Sequence, residues 1–188
     1  MRYPSILHHG AVSGVTGSCH QLQMDAEHAL LVDCGLFQGL KELRVKNWET
    51  IPPEFKELDL VILTHAHLDH TGYLPILIKN GYSGKIYCTK PTKDLTEIIL
   101  LDSAKIQEED ARRANEHHYT KHNPAKPLYE VEDAKLTMTH FKTFDLDNVI
   151  EIQILSDFET GLNEAKQNNT NKLLSLINAI SSGLKNTG

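Results

Sequence analysis

Short apolar runs alternate with glycine-marked loops through most of the chain, and their lengths predict strands and helices in turn. Tyr3 to Leu7 is a brief apolar stretch, followed by HGAVSGVTGS, where Gly10, Gly14 and Gly17 mark a loop. CHQLQMD alternates loosely and HALLVDC is nearly continuous in apolar residues up to Asp33, so the pair predicts two strands of a meander that feeds a loop. Gly35 and Gly39 bracket LFQ in that loop. Pro52-Pro53 then breaks the chain before LDLVILT, where Leu58 to Leu63 predicts a buried strand.

Beyond it, THAHLDHTG leads into YLPILIKNGY, a short amphipathic helix closed by Gly81. KIYCT predicts another strand. Residues 91–116 carry the longest helical pattern, with Pro91 near its start and Leu95, Ile98, Ile99 and Ile106 on an apolar stripe. HHYTKHNPAKPLY links it to a helix around 130–141, and NVIEIQIL alternates as a strand. This order says α/β, or α+β. From Ser156 the composition turns to Asn and Ser, so the chain divides into a body, 1–155, and a divergent tail, 156–188. In the tail Leu173, Leu176, Ile177 and Ile180 can line one helix face.

Composition adds exclusions. With 188 residues, 40% hydrophobic and 23% charged, the chain has the make-up of an ordinary globular domain. No window is apolar enough for a membrane span or secretion signal. Cys19, Cys34 and Cys88 form no CxxC pair and no even framework, which points to a reducing cytoplasm. A net charge of -6 argues against gripping nucleic acid by bulk positive potential. The unusual entry is histidine, 11 in all.

Those histidines are not evenly spread. His65-Ala66-His67-Leu68-Asp69-His70 places four potential ligands at the end of an apolar strand, before a helix. Two imidazoles one residue apart at a strand end can point to the same side and offer two nitrogens to one borderline-soft cation. Asp69 and His70, on the following turn, can reach a second cation, and two such ions clamp both oxygens of an in-line displacement. The bland alternative is a solvated histidine loop with Asp69 capping the next helix. Three imidazoles and a carboxylate converging there would repel one another if the rings were protonated, and a cation relieves that.

The motif resembles the HxHxDH of the metallo-β-lactamase superfamily, and in particular its RNA-processing β-CASP branch. HGAVSGVTGSCHQL resembles that branch's opening loop and second strand, and LLVDCGLFQG its first motif, an aspartate ending a strand. LTHAHLDHTGYLP, IYCTKPTKDL, LLDSAKIQEEDARRAN and KHNPAKPLYEVEDA continue the likeness over roughly residues 5–150. The resemblance implies the N-terminal portion of an αββα sandwich. It implies that His65 and His67 bind one Zn2+, that Asp69 and His70 bind a second, and that Asp69 also orients or deprotonates the attacking water. Asp33 would support the metal loop by hydrogen bonds without binding metal. The activity implied is hydrolysis of RNA phosphodiesters, as an exo- or endoribonuclease, by zinc-activated water.

The family completes its site with a later histidine in a Gly-His turn, a bridging aspartate and a further histidine, and none is identifiable here. His140, in the helical stretch LTMTHF, lacks the preceding Gly and the strand-end position. The chain therefore reads as an apparently truncated N-terminal piece. Its uncovered sheet face would call for the tail helix, self-association or a separate C-terminal chain. Two further readings remain open: a catalytically inert fragment or metal-binding remnant, and a hydrolase of the same fold acting on thioesters or lactams. VTGSC and the stretch from EEDARRAN to KHNPAKPLY favour the nuclease branch.

Weaker signals have plain counterparts. His117, His118, Tyr119, His122 and Tyr129, near Arg112, Arg113, Lys121 and Lys126, can contact an RNA backbone or stack a base, and His122 is the candidate substrate-binding residue among them. They suit a polar surface loop equally. The glycine loop at 10–17 has no phosphate-binding GxxxxGKS pattern, and its glycines suit turns. His8, His9, His20 and His28 have no ligand spacing among themselves, although His8 or His9 can lie near the metal loop. Cys34 reads as a core thiol, and Trp48 as the packing anchor of a long loop.

Overall fold

The computed structural model describes residues 3–118 and 124–145. Among them six strands form one sheet in chain order: β1 (Ser5–His8), β2 (His20–Gln23), β3 (Ala29–Val32), β4 (Leu60–Ile62), β5 (Lys85–Thr89) and β6 (Phe141–Phe144). β1 to β3 form the predicted antiparallel meander, and β3 to β6 run parallel. The crossovers carry α1 (Lys41–Val45), α2 (Leu68–Thr71), α3 (Leu74–Lys79), α4 (Lys90–His117) and α5 (Val131–Met138). The mixed α/β architecture follows from the sequence order. The strand predicted at NVIEIQIL and the tail 156–188 lie outside the described residues.

Register explains the core. Gln21, Leu31, Val61, Ile86 and Phe141 stand abreast across five strands, so alternation places their side chains on one face. That face packs on Leu74, Leu77 and Ile78 of α3, together with Phe55, Leu58 and Tyr82. α3 is apolar on nearly every side and is buried on nearly every side. Its Ile76 turns away from the sheet into a second cluster with Leu36, Leu100, Ala104, Tyr129 and Ala134. On the opposite sheet face Leu22, Leu30 and Leu60 are buried as well. Both faces of β3 and β4 are thus apolar, which is why these strands read as continuous runs.

Three sequence expectations need correction here. The stripe predicted to seat α4 is wrong: Leu95, Ile98 and Ile106 are exposed, while Thr96, Leu100, Ala104 and Ala114 are buried. Small side chains face the neighbouring elements because α4 and α5 approach closely, and Ala104 against Ala134 suits that approach. The helix around 130–141 ends earlier, at Met138, and FKTF pairs with β5 as β6. Trp48 is 61% exposed and anchors nothing. Its neighbour Asn47 does that work, receiving the Phe37 N–H at 2.8 Å and donating to the Phe37 carbonyl at 2.9 Å. No helix among the described residues is long and apolar enough to cross a membrane.

One close approach joins the loop after β3 to the loop after β4. A Cβ on Gly35 would stand 1.7 Å from the Asp69 carbonyl oxygen and 2.5 Å from the His70 nitrogen, both backbone atoms that cannot swing aside. Gly35→Ala is therefore expected to destabilise the fold by about 3 kcal/mol or more, at the upper end of overpacking costs. Gly14→Ala, where a Cβ meets nothing within 4 Å, should leave the unfolding midpoint unchanged or slightly raised. Thermal or urea unfolding of the two variants checks the contrast.

Candidate metal centre

The His65–His70 segment follows the carboxyl end of β4, between the two neighbouring crossovers, which is where open α/β sheets gather ligands. α2 is a single turn in which only the Leu68 carbonyl has a helical partner, the Gly72 N–H, and the Asp69 and His70 carbonyls have none. Other segments take them. Ser18 N–H donates to Asp69 O at 2.8 Å, Cys34 N–H to His70 O at 2.8 Å, and Leu36 N–H to Leu68 O at 3.1 Å. Gly35 N–H donates to Ser18 O at 2.9 Å, and Tyr73 N–H to Cys34 O at 2.9 Å. The loop after β3 and the strand entry at Ser18 thereby hold the turn by its backbone.

Asp33 holds the same turn by its side chain. It is 2% exposed and sits just past β3 at a φ of +61°, a left-handed conformation that Asp tolerates better than most residues. Its carboxylate accepts the Thr64 N–H at 2.9 Å, the Thr64 hydroxyl at 3.0 and 2.9 Å, the His70 Nδ1–H at 2.7 Å and the Ser18 hydroxyl at 3.3 Å. A buried carboxylate requires such donors, and these come from three separate segments.

The four motif side chains gather. The His65 ring lies 4.6 Å from that of His67 and 4.0 Å from that of His70, centroid to centroid, and Asp69 Oδ2 is 3.7 Å from His70 Nε2. Hydrogen bonding then orients the rings. Thr64 spends its one hydroxyl proton on Asp33, so its oxygen receives the His65 Nδ1–H at 3.0 Å. His65 and His70 thus both commit Nδ1 as donor and keep the Nε2 lone pair, the arrangement in which imidazoles serve as ligands. Burial lowers the pKa of His65, helped by the neighbouring His70 and His67. At His70 burial also lowers it, but the hydrogen bond and charge of Asp33, with Asp69, outweigh burial and raise it overall.

A hydrogen-bonded chain that spacing did not disclose extends from Asp33 to the sheet edge. Ser18 donates to Asp33 and so accepts from His20 Nε2 at 3.3 Å; His20 Nδ1 then accepts from His8 Nδ1 at 2.8 Å. His8 and His20 are a directly paired couple across β1 and β2, twelve residues apart in sequence, which no single-segment motif exposes. Burial, and next the His8 ring, lower the His20 pKa. His9 turns elsewhere, to Gln21 and the Phe55 ring, and His28 pairs with Asp59.

Other predicted residues fall away from this cluster. His140 lies in the turn before β6, not in a helix, at the end of the sheet opposite the motif, and its Nδ1 contacts the Gly84 carbonyl at 2.9 Å. Tyr129 is fully buried and hydrogen-bonds Ser103, so it is not a stacking platform. Arg112 and Arg113 are engaged by Glu109 and Glu116 along α4. His122, Tyr119 and Lys121 lie outside the described residues. Cys34 is buried beside Cys19, and the hydrogen bond they share, with burial, pushes its thiol well above the usual range, as suits an inert core residue.

The donor set fits zinc in kind: imidazole nitrogens with free lone pairs and one carboxylate, nitrogen and oxygen ligands for a borderline cation. In number it offers four side chains, too few to close two four-coordinate sites. Among the described residues no three His, Cys, Asp or Glu side chains group to hold an ion. A closed site needs ligands beyond those four.

In the metal-free protein His70 should titrate above 6.5, and Asp33→Asn should bring it below 6.5, because burial persists when the charge is gone. A folded-state pKa above the unfolded one means that the Asp33–His70 pairing stabilises fully below about 6.5 and loses that contribution as pH rises through the folded value. An NMR titration of the His70 ring in both proteins, with chelator present, reads the shift directly.

Comparison with known proteins follows the same lines. Residues 21–168 match the family described as metallo-beta-lactamase superfamily domain. Ribonuclease TTHA0252 of Thermus thermophilus is 37% identical over 147 residues, covering 78% of this chain and 30% of that protein. Transcription termination factor FttA of Methanothermobacter thermautotrophicus is 36% identical over 146 residues, 76% of this chain and 21% of that one. The FttA of Methanococcus maripaludis is 41% identical over 92 residues, 46% and 14% respectively. The chain spans less than a third of the length of these relatives, which are of the β-CASP type. With the family match running across β2 to β6 and the motif turn, the chain belongs to the metallo-β-lactamase superfamily.

Proposed function

We propose that this chain carries half of a two-metal centre for hydrolysing RNA phosphodiesters. The observation that carries the reading is the convergence of His65, His67, Asp69 and His70 on one turn, with the Nδ1 protons of two rings already committed. His65 and His67 would hold one zinc ion, and Asp69 and His70 the other. Zinc, when bound, supplies the Lewis acidity and positive charge that a phosphodiester demands and a chain of net charge -6 lacks. Asp69 would orient an attacking water and take its proton, while Asp33, accepting the His70 Nδ1–H, favours the tautomer that presents Nε2. RNA is the substrate class suggested by relatives named ribonuclease and transcription termination factor. Three thiols with no disulfide suit a reducing compartment, the cytoplasm.

A second reading, metal binding without turnover, is favoured by the donor count of two per ion. Metal analysis of the purified chain together with cleavage of a labelled single-stranded RNA separates the two. The hydrolase reading expects bound zinc, and turnover that falls at least about a hundredfold in His67→Ala and in Asp69→Asn, since even outer-shell partners of such ligands are worth 10- to 100-fold. Zinc without cleavage supports the second reading. Neither zinc nor cleavage overturns both.

A further inference from the structure

The chain has one tryptophan, and it lies on the surface. Trp48 ends the short turn Lys46–Trp48 at 61% exposure, and Leu40 and Val45 are exposed along the same segment. Single apolar side chains on a surface need no explanation, but three exposed within nine residues, one of them an indole, call for one. Lys41, Arg44 and Lys46 stand exposed in this segment, outnumbering its two exposed carboxylates, Glu42 and Glu49. None of the three cations has a salt bridge among the described residues. The Lys46 ammonium sits 5.2 Å from the centre of the Phe37 ring.

This segment is fixed in place. Asn47, buried between Lys46 and Trp48, clamps the Phe37 backbone through both of its amide atoms. At one end Leu36 donates to the Leu68 carbonyl, and at the other the Tyr73 hydroxyl donates to the Glu49 carbonyl at 3.3 Å. Leu68 opens α2 and Tyr73 follows it, so both ends of the segment are tied to the turn that carries Asp69 and His70.

We propose that Trp48, with Lys41, Arg44 and Lys46, is a binding subsite for single-stranded RNA beside the metal centre. The indole stacks on an unpaired base and the three cations neutralise phosphates of the same strand. The inference rests on the reading of this chain as an RNA phosphodiesterase and names the strand state of its substrate. Stacking needs a base free of its duplex, and every base offers a face, so the subsite tolerates sequence and rejects double strands. A second copy of this chain is a poorer occupant. A two-fold contact would set this patch against itself and bring like charges together.

Because Trp48 is the sole tryptophan, its emission reports on this position alone. The purified chain, held in chelator so that no cleavage occurs, is titrated with a 12-nucleotide oligouridylate. Saturable quenching is expected, with none from a blunt RNA duplex. By anisotropy of labelled oligouridylate, Trp48→Ala should bind at least about fivefold more weakly, and Trp48→Phe should restore much of the loss. Replacing Lys41, Arg44 and Lys46 together by Ala should reduce the slope of log affinity against log salt by about 2. Unchanged emission, or Trp48→Ala binding as tightly as the wild type, overturns the subsite. So does an emission change that tracks protein concentration without RNA, which assigns the patch to self-association. Binding that survives in chelator while the zinc-loaded chain shows no cleavage strikes the hydrolase reading and leaves the subsite standing; weakened cleavage in His67→Ala with unaltered binding in Trp48→Ala does the reverse.

Discussion

The centre depends on one steric fact: two backbones touch where Gly35 meets Asp69, and nothing larger than hydrogen fits between them. That contact lets Cys34, Leu36 and Ser18 reach the carbonyls of the α2 turn, and it lets Asp33 reach Thr64 and His70. A one-turn helix has little stability of its own, since nucleation is its whole length. Its shape is imposed by neighbours on the sheet. The geometry of the motif turn is thus a property of the β3 and β4 crossovers together, with Asp33 acting as the keystone between them.

The parts of the fold that sequence made legible were those where local pattern and tertiary role coincide. The continuous apolar runs of β3 and β4, Gly81 with its left-handed backbone just after α3, and Pro91 at the start of α4 each follow from a rule about neighbours in the chain. The gathering of His65, His67, Asp69 and His70 was legible for the same reason, being packed into six residues. The failures share the opposite cause. Leu95, Ile98 and Ile106 match a helical period, yet the buried face of α4 is chosen by its packing against α5, where Ala104 joins Ala134 in one cluster. FKTF has phenylalanines three apart, a spacing with no strand alternation, and becomes β6 because β5 offers it an edge.

The chain of His8, His20, Ser18 and Asp33 was invisible for a related reason. Its members come from β1, β2 and the end of β3, and only the antiparallel register that sets His8 opposite His20 assembles them. Each hydroxyl in it has one proton to give, so the direction of every hydrogen bond is forced once Asp33 is ionised. The orientation of the His70 ring is therefore set by Asp33, 37 positions away in the chain. Electrostatics repeats the lesson. A chain that is acidic overall still places three exposed cations against two carboxylates in the ten residues around Trp48, and net charge gives no hint of that placement.

The tethering of α2 through its main chain also separates what the turn displays from what holds it. A hexapeptide cut from positions 65–70 would carry the same side chains with nothing to fix their relative positions. Here the turn is hung on Ser18 and Cys34 by amides that no side-chain replacement within the hexapeptide removes. Exchanging a side chain in this hexapeptide consequently changes the chemistry displayed by the turn while leaving in place the backbone scaffold that displays it.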